Sequence, residues 1–459
     1  MKSFNERSEG NLNILGEWWL PNDPGKQIPG VLTYSPDEGI ILELMGSFKD
    51  IRNIEKFLEL EIIIGISKNG EDITLYKCSE ISSSYTAAGL STLFRVNRVF
   101  VGAHFQREDD IKFKSVSARF LHLDEWLGIS GFESEEQLKG GKAISVVYSN
   151  PSEIQMKIGN GYSLSIFFDY AVEFPSRGYY KFNIQQEARI KIEADRARTL
   201  RDYEKVIEDI QNFISLGIFW LKSRPFDIQG EMEDGSKVVK IFDAYSLSLG
   251  YSLILDRKLM LFEFKDIQDR FEIFLRNWIN KAEQLRFIID SYFHDSSGSW
   301  EYRFLSLVQA LEAYHRCCFE RGEYLSDSEF QKVYNELINV ISSYPSEEFR
   351  RSLIERLKYA NEFSLRKRIK EIFDKYADVL KEFIKDKNRF IEGVIKIRNY
   401  YTHRDKKLEK EVKGYNLYSF IFQLKMIIEV CLLAEIGFSL DEIKNLFLKN
   451  EVYRWKVKR

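Results

Sequence analysis

The sequence predicts an α+β protein, with a β-rich N-terminal part over residues 1–266 and an all-α helical bundle over residues 267–459. In the N-terminal part, short apolar or alternating runs are separated by Gly, Asn, Asp and Pro, which is typical of strands and turns. From residue 267 onward, apolar residues recur every three or four positions, which indicates amphipathic helices. The change from one pattern to the other places the predicted domain boundary.

In the N-terminal part, the Asn-Gly pairs at Asn69-Gly70 and Asn160-Gly161 are typical of hairpin turns. The expected strands are Ile40–Met45, Leu60–Ile66, Ile73–Cys78, Ala143–Tyr148, Tyr162–Asp169, Tyr179–Ile184, Phe226–Gln229, Lys237–Phe242 and Leu259–Phe264. One helix is expected among them, at about residues 197–220. Its apolar stripe consists of Leu200, Tyr203, Val206, Ile207, Ile210 and Phe213.

The C-terminal part is expected to be a bundle of helices joined by short polar segments. The expected helices are about 267–293, 299–320, 327–342, 347–359, 365–374, 377–401, 412–436 and 440–448. The stretch Leu417–Phe438 is apolar but is interrupted by Gln423, Lys425, Glu429 and Glu435, whereas a membrane span needs about 20 mostly uninterrupted apolar residues. We therefore expect a central bundle helix there and no membrane contact.

The chain is long and apolar enough for two or three domains with sizeable cores, at 459 residues, 44% hydrophobic and 14% aromatic. Its net charge of −3 neither supports nor excludes a nucleic-acid partner. Residues 364–415 differ, with 16 Lys and Arg against nine Asp and Glu, a local charge of +7. A polyanion such as RNA would dock there, although a solvated helix face is the ordinary alternative.

Cysteine usage and the N-terminal residues predict a cytoplasmic location. The four cysteines form no C-x-x-C pattern, and so few scattered thiols in a long chain indicate a reducing compartment. The first 13 residues are polar and lack the apolar stretch of a signal peptide. The sequence contains no phosphate-binding loop and no dinucleotide fingerprint, so we predict no cofactor.

The segment Arg398-Asn399-Tyr400-Tyr401-Thr402-His403, at the end of a helical run, carries the strongest functional pattern. At about 100° per residue, Arg398, Thr402, Asn399 and His403 fall at roughly 0°, 40°, 100° and 140° around the helix axis. These four polar groups therefore share one arc, and the two tyrosines point to the other side. A site of this kind is broad and shallow, which suits a polymer better than a small buried ligand.

A second segment, Arg98–His104, has the same type of spacing and shows that spacing alone is weak evidence. With five histidines in the chain, about one Arg-x(4–6)-His match is expected by chance. The second segment lies in an apolar, β-branched stretch that contains Gly102, which indicates a strand and a turn. The match that ends at His403 has the helical context instead.

Arginine and histidine are the side chains that metal-free RNA cleavage most needs. In such a reaction the 2′-hydroxyl attacks the phosphorus, a base removes its proton, and an acid protonates the leaving 5′-oxygen. His403 is the candidate base or acid, because histidine exchanges protons near neutral pH. Arg398 would grip two phosphate oxygens, and Asn399 would orient the phosphate or a base edge. Thr402 is a weaker candidate for a supporting hydrogen bond, and Arg404 for phosphate attraction.

One motif supplies one histidine, whereas an acid and a base together need two proton-transfer groups. The simplest source of the second is a symmetric pair of chains that brings two copies of His403 together. We therefore expect a homodimer or higher oligomer through the helical domain.

These candidates have structural alternatives. Arg398 and His403 would equally suit a polar helix end held by a salt bridge. Glu312 follows the spacing of an apolar helix stripe, where a carboxylate needs a partner. Arg398 is the candidate partner, which would give Glu312 a supporting role. His315, on the same stripe, is more typical of a packed histidine with satisfied hydrogen bonds.

Metal and stacking sites are weaker candidates elsewhere in the chain. His122 and Asp124 would place two ligands on one strand face, but no third ligand is evident, so no metal site is predicted. Trp18 and Trp19 suit a core or an interface better than a base-stacking platform.

Two regions of the chain resemble ApeA-type proteins, an anti-phage HEPN family. Leu15–Pro21, Ile28–Tyr34 and Gly39–Phe48 are similar to the start of the ApeA N-terminal domain. Leu307–Arg316 and the motif Arg398–His403 are similar to its C-terminal HEPN domain. The resemblance covers nearly the full length of the chain.

The resemblance implies a metal-independent endoribonuclease that stops phage growth by cleaving cellular RNA, with tRNA as the leading candidate substrate. It also implies that HEPN domains pair and that the N-terminal domain restrains the nuclease or senses a phage-derived trigger. Two other hypotheses stay open: a HEPN fold that binds nucleic acid or a partner without cleaving, and a β-rich ligand receptor whose helices only dimerise. The intact Arg-Asn…His set favours the nuclease.

Overall fold

The computed structural model describes residues 13–35, 37–49, 56–86, 89–138, 142–173, 183–219, 221–235, 237–243, 255–293, 299–341, 346–404 and 407–457. The chain divides into two compact units, Met1–Arg276 and Asn277–Arg459. The first is rich in β-strands and the second is helical. The predicted fold class is therefore confirmed.

The boundary between the units lies ten residues later than the end of the predicted N-terminal part at residue 266. The helix that begins at Phe271 starts in the first unit, where the Phe271 ring lies 6.0 Å from Trp126 and 6.2 Å from Phe213. These aromatic contacts assign the first turns of that helix to the β-rich unit, although its sequence pattern is already helical.

The described residues of the first unit contain fourteen strands. They are β1 Asn13–Leu20, β2 Asp23–Ser35, β3 Gly39–Leu44, β4 Glu59–Ser67, β5 Asp72–Thr86, β6 Gly89–Val101, β7 Lys112–Phe120, β8 Phe132–Leu138, β9 Lys142–Tyr148, β10 Ile154–Gly159, β11 Tyr162–Glu173, β12 Asn183–Thr199, β13 Pro225–Glu231 and β14 Val238–Asp243.

The first six strands close into an antiparallel barrel. Their order is β6-β3-β2-β1-β4-β5, and β5 pairs with β6 as well as with β4, which completes the ring. Closing a sheet removes the unpaired edges that would otherwise attract other strands. From β6 the sheet continues through β14, β13, β7, β12, β11 and β10, and β8 and β9 form a separate hairpin.

Trp18 lies at the centre of the barrel core and is fully buried, which confirms it as a core residue. Its ring lies against Gly65 on the neighbouring strand β4, where a Cβ atom would come within 2.2 Å of the indole. Gly65 therefore leaves the space that the indole fills. Trp19 faces the other side of β1 and contacts the His104 ring at 5.5 Å.

The predicted strands agree with the structure except at two places. Seven of the predicted runs coincide with β3, β4, β5, β9, β11, β13 and β14. Asn69-Gly70 lies between β4 and β5, and Asn160 and Gly161 take positive φ values of 52° and 77° between β10 and β11, as the hairpin prediction requires. The predicted strand Tyr179–Ile184 lies mostly outside the described residues.

The predicted strand Leu259–Phe264 is wrong. Arg257–Leu259 form a 3-10 turn, and the N–H groups of Leu261 and Phe262 donate to the carbonyl of Gly217 instead of to a neighbouring strand. Three consecutive side chains, Met260 to Phe262, are buried. The run is apolar because it packs under a helix end, and not because it belongs to a sheet.

Helices in the first unit flank its sheet. They are α1 Leu123–Leu127, α2 Leu200–Gly217, α3 Phe264–Ile267 and the start of α4 Phe271–Phe293. Thr199 caps α2, since its side chain accepts a hydrogen bond from the N–H of Asp202. The predicted helix at about 197–220 is confirmed and packs against β12 and β7.

The described residues of the second unit contain the rest of α4 and ten further helices. They are α5 Trp300–Cys318, α6 Asp327–Val340, α7 Glu347–Leu357, α8 Leu365–Lys375, α9 Ala377–Phe383, α10 Lys387–His403, α11 Glu409–Lys413, α12 Leu417–Ile436, α13 Leu440–Lys449 and α14 Glu451–Val457. Helix α12 is long and apolar enough to cross a membrane, but most of it is buried inside the unit. That burial agrees with the predicted central helix.

Two predicted helices are each divided in the structure. The run 377–401 breaks between α9 and α10, where Asp386 caps α10 by accepting from the N–H of Arg389 at 2.9 Å. The run 412–436 breaks between α11 and α12, where Asn416 caps α12. In both cases a side chain that favours helix starts caps the second of the two helices. Helix α14 lies beyond the last predicted helix.

Candidate active site

Helix α10 carries the predicted motif in its last turns, and its apolar face fixes the helix in the bundle. Phe390, Ile391, Val394 and Ile397 are buried along that face. The helix ends at His403, because Arg404 adopts the left-handed conformation at φ 53° and donates its N–H to the carbonyl of Tyr400. The motif therefore sits on regular helix up to its final residue.

The four polar residues of the motif lie on the exposed side of that helix end. Arg398 and Asn399 are half-buried, and Thr402 and His403 are exposed. Arg398 Nη1 donates to Asn399 Oδ1 at 3.2 Å. Among the described residues, neither Arg398 nor His403 takes part in a salt bridge. The structural alternative, a helix end held by an ion pair, thus finds no ion-pair partner there.

Arg404 and two tyrosines border the motif. The rings of Tyr400 and Tyr401 make an edge-to-face contact at 5.1 Å, and the guanidinium of Arg404 lies 5.9 Å from the Tyr401 ring. Burial raises the pKa of Tyr401, and the nearby Glu301 carboxylate raises it further. Glu301 belongs to the first turn of α5, so that turn lies beside the end of α10.

Glu312 does not meet Arg398. Its carboxylate accepts from Arg316 one turn later on α5 at 3.1 Å, and Arg316 also pairs with Glu362 at 2.8 Å. The expectation that Arg398 is the partner of Glu312 is wrong, because an i,i+4 pair on the same helix satisfies the carboxylate locally.

The comparisons with known proteins agree with this architecture. Residues 13–278, more than half of the chain, match the model of the ApeA N-terminal domain 1. The chain belongs to the ApeA family. Residues 305–442 match the model of the Apea-like HEPN domain, and this range contains Glu312 and the whole Arg398–His403 motif. No curated protein and no solved structure shows a significant match.

An ApeA-type HEPN domain suggests a nuclease-like role in defence against phage. In this HEPN domain, His315 does not belong to the exposed Arg398–His403 motif and lies in a buried polar cluster. It is fully buried, its Nε2 lies 2.8 Å from Glu371, and its Nδ1 lies 3.1 Å from Arg368 Nη1. Arg368 can only donate, so Nδ1 accepts and Nε2–H donates to Glu371. His315 is thus a packed, satisfied histidine, as the sequence suggested.

Arg368 is a buried structural residue of the HEPN domain that the sequence analysis did not predict. It is almost fully buried on α8, and it donates to the carbonyl of Phe363 at 3.0 Å as well as to His315. Burial lowers the pKa of Arg368, and the Arg316 charge lowers it further. The sequence does contain a signal for its burial, because Arg368 falls in register with Ile369 and Ile372 on the apolar stripe of α8.

The second Arg–His match belongs to the ApeA N-terminal domain and is structural. Arg98 lies on β6, where it pairs with Glu204 at 2.5 Å. His104 follows the strand, and its Nε2 lies 2.8 Å from the carbonyl of Gly65. Both side chains hold the β-rich unit together, in agreement with the predicted strand and turn.

His122 and Asp124 do not share a strand face. His122 precedes α1 in the left-handed conformation, and Asp124 lies within α1, where its carboxylate accepts from the N–H of Ala188 at 2.8 Å. Over the part of the chain that the structure describes, no group of three His, Cys, Asp or Glu side chains is arranged to hold a metal ion.

Proposed function

We propose that this protein is an endoribonuclease that cleaves cellular RNA without a metal ion, as an abortive-infection effector acting in the cytoplasm against phage. The observation that supports this most is the exposed arc on the last turns of α10. There Arg398, Asn399 and His403 are held by a buried helix face and face solvent. Charged side chains that serve stability alone are usually paired. Arg398 and His403 have no ion-pair partner among the described residues, so both are available to a ligand.

The proposed reaction is a transesterification within the RNA. The ribose 2′-oxygen bonds to the phosphorus as the bond to the 5′-oxygen of the next nucleotide breaks. One proton leaves the 2′-hydroxyl for a base, and another passes from an acid to the 5′-oxygen. The products are a 2′,3′-cyclic phosphate and a 5′-hydroxyl, so atoms and charge balance without a further reactant.

Arg398 and Asn399 have distinct tasks in this proposal. The guanidinium of Arg398 binds two phosphate oxygens and stabilises the extra negative charge at the crowded phosphorus. Its hydrogen bond to Asn399 Oδ1 at 3.2 Å limits the orientations of the guanidinium before RNA binds. Asn399 is then a positioning residue as well as a candidate contact to the substrate. Thr402 and Arg404 flank these groups.

Two copies of His403 share the proton transfers, so that one acts as the acid and the other as the base. Each chain supplies one such histidine, and His315 is excluded because both of its ring nitrogens are engaged inside the bundle. A symmetric pair of HEPN domains would place one His403 on each side of the scissile phosphate. In this proposal the N-terminal domain receives a phage-derived trigger or restrains the nuclease, and tRNA is the substrate.

The test is incubation of the purified full-length protein with total RNA in EDTA, with and without His403→Ala. We expect the variant to lose cleavage by about 100- to 10,000-fold, which is typical when general acid–base catalysis is removed. Circular dichroism and thermal unfolding should be unchanged, because His403 is exposed at a helix end. Wild-type rates in a variant prepared in the same way would exclude His403 as the acid or base. RNA binding without any cleavage by the wild type would support a non-catalytic HEPN protein.

A further inference from the structure

Two exposed aromatic side chains, one on α5 and one on α12, lie together in the helical unit. Trp300 is 52% exposed at the first position of α5, and Tyr418 is 47% exposed in the first turn of α12. Their rings make an edge-to-face contact with centroids 5.7 Å apart. Large aromatic faces cost free energy in water, so an exposed pair of this kind indicates a binding surface.

This aromatic pair belongs to the same end of the bundle as the motif. Helix α5 packs against both α10 and α12. Glu301, the residue after Trp300, lies close enough to Tyr401 and Arg404 for their charges to act on one another. The chain passes from Arg404 through α11 to the start of α12, so Tyr418 follows the motif by one short connection.

The charge of the segment around the motif indicates which kind of ligand the aromatic pair binds. Residues 364–415, which contain the motif and end just before α12, carry a net charge of +7. Arg404 is exposed beside Tyr401 at 5.9 Å. Aromatic faces next to cationic side chains are the combination that binds single-stranded nucleic acid, because bases stack on the rings while the phosphates meet the charges. The acidic Glu301 also lies here, and its carboxylate interacts with the Arg404 charge.

We infer that Trp300 and Tyr418 form a stacking platform for an unpaired nucleobase close to the scissile phosphate. The ligand class is single-stranded or looped RNA, whose base rests on the exposed indole face while Arg404 attracts a phosphate. This inference rests on the proposed ribonuclease function and adds the element that orients the substrate. It predicts a preference for loops, because a base in a duplex must first lose its pairing and stacking before it can stack on protein.

The first experiment measures binding of a fluorescein-labelled RNA loop, with a 2′-deoxy nucleotide at the mapped cleavage position so that it is not cut. Trp300→Ala and Tyr418→Ala should each weaken the affinity of the full-length protein by about 5- to 150-fold, the effect of removing one stacking contact. Trp300→Phe and Tyr418→Phe keep an aromatic face and should stay within about threefold of the wild type. Tyr359→Ala is the matched control, since Tyr359 is an exposed aromatic, 67% accessible, on the loop between α7 and α8.

The second experiment removes the base instead of the side chain. A series of RNAs is prepared in which each member lacks the base at one position near the cut. The wild type and Trp300→Ala should bind one member with the same reduced affinity, namely the RNA that lacks the base that stacks on Trp300. A purely structural role for Trp300 would instead weaken binding to every RNA in the series by the same factor. That uniform loss, or unchanged binding by the alanine variants, would overturn the inference.

Mass photometry of the same variants separates this surface from a subunit contact. We expect Trp300→Ala and Tyr418→Ala to keep the wild-type oligomeric state. A shift to a smaller species would show that the pair binds a second copy of the chain and not RNA. If the wild type cleaves RNA while the platform variants behave as it does, the inference fails and the proposed function stands. If the wild type neither cleaves nor binds RNA, the proposed function is wrong, and the inference that rests on it is wrong as well.

Discussion

At the scale of single residues, the HEPN domain contains two histidines in opposite environments. His315 is fully buried, with one ring nitrogen near Glu371 and the other accepting from Arg368. His403 is exposed at the end of α10 and is in no salt bridge with the described residues. The first histidine is engaged inside the bundle, and the second is accessible to solvent.

Arg398→Lys should impair cleavage severely although the positive charge is kept. A lysine ammonium cannot span two phosphate oxygens in the way that a planar guanidinium does. We expect a loss of about 100-fold or more in kcat/KM, measured on a fluorescent RNA. Arg389→Lys is the matched control, because Arg389 is an exposed arginine on the same helix. Near-normal activity of Arg398→Lys would mean that Arg398 acts only as a diffuse charge.

His315 should make the HEPN domain less stable in acid. Burial lowers its pKa in the folded protein, and the Arg368 charge lowers it further, against the opposite effect of Glu371. The unfolded chain therefore takes up a proton at a higher pH than the folded one, so stability falls as the pH drops below about 6.5. Stability at neutral pH and above is unaffected by this group.

The measurement is the midpoint of thermal unfolding at about pH 7.5 and about pH 5.5 for the wild type and His315→Gln. Glutamine offers an acceptor to Arg368 and a donor to Glu371 but does not titrate. The decrease on acidification should be smaller in the variant, whatever its starting stability. Equal decreases would show that His315 is not the group that titrates.

At the scale of elements, α10 is positioned by one close approach to α12. A Cβ atom on Gly393 would come within 2.4 Å of the Phe420 ring. That ring cannot move aside easily, because it stacks on Phe390 at 6.0 Å and meets Tyr415 edge-on at 5.4 Å. The motif at the end of α10 is therefore held through the middle of the same helix.

Gly393→Ala should destabilise the helical unit although alanine favours helices. The gain in helix propensity is about 0.5–1 kcal/mol, whereas overpacking a filled core costs about 1–3 kcal/mol. The cost of overpacking should exceed the gain in helix propensity. Scanning calorimetry should therefore show a lower midpoint of thermal unfolding for the variant than for the wild type. Asn388→Ala, at an exposed position of α10, is the control and should change stability by less than about 0.5 kcal/mol. A stabilised Gly393→Ala would mean that the two helices separate at little cost.

The sequence predicts elements well where one physical signal decides them. The hairpin at Asn160-Gly161 and the stripe of α2 follow directly from local preferences. The strand wrongly predicted at Leu259–Phe264 fails because consecutive apolar residues look alike in a sheet and under a helix end. The break at Asp386 is missed because a capping side chain interrupts an apolar pattern that continues on both sides.

The candidate site shows the same division between local and distant information. The arc from Arg398 to His403 depends only on helix geometry, so the sequence predicts it. The hydrogen bond between Arg368 and His315 depends on which helices pack together, as does the contact of Trp300 with Tyr418. No residue pattern within one helix specifies those neighbours.

At the scale of the whole molecule, a closed β-barrel and its extended sheet precede a helical bundle that carries the proposed chemistry. The basic charge is concentrated in residues 364–415, at +7, while the chain as a whole is at −3. The rest of the protein is therefore acidic, at −10. RNA is therefore expected to approach the basic segment of the HEPN domain first.

The proposed mechanism requires that the RNA supplies its own nucleophile, and substitution of a single 2′-hydroxyl tests this requirement. In excess EDTA, the wild type should cleave an RNA loop to a 2′,3′-cyclic phosphate (or 3′-phosphate) end and a 5′-hydroxyl end. The same RNA with a 2′-deoxy nucleotide at the cut site should resist cleavage. Equal cleavage of the deoxy substrate or of DNA, or a requirement for Mg²⁺, would contradict the mechanism and the assignment of Arg398 and His403.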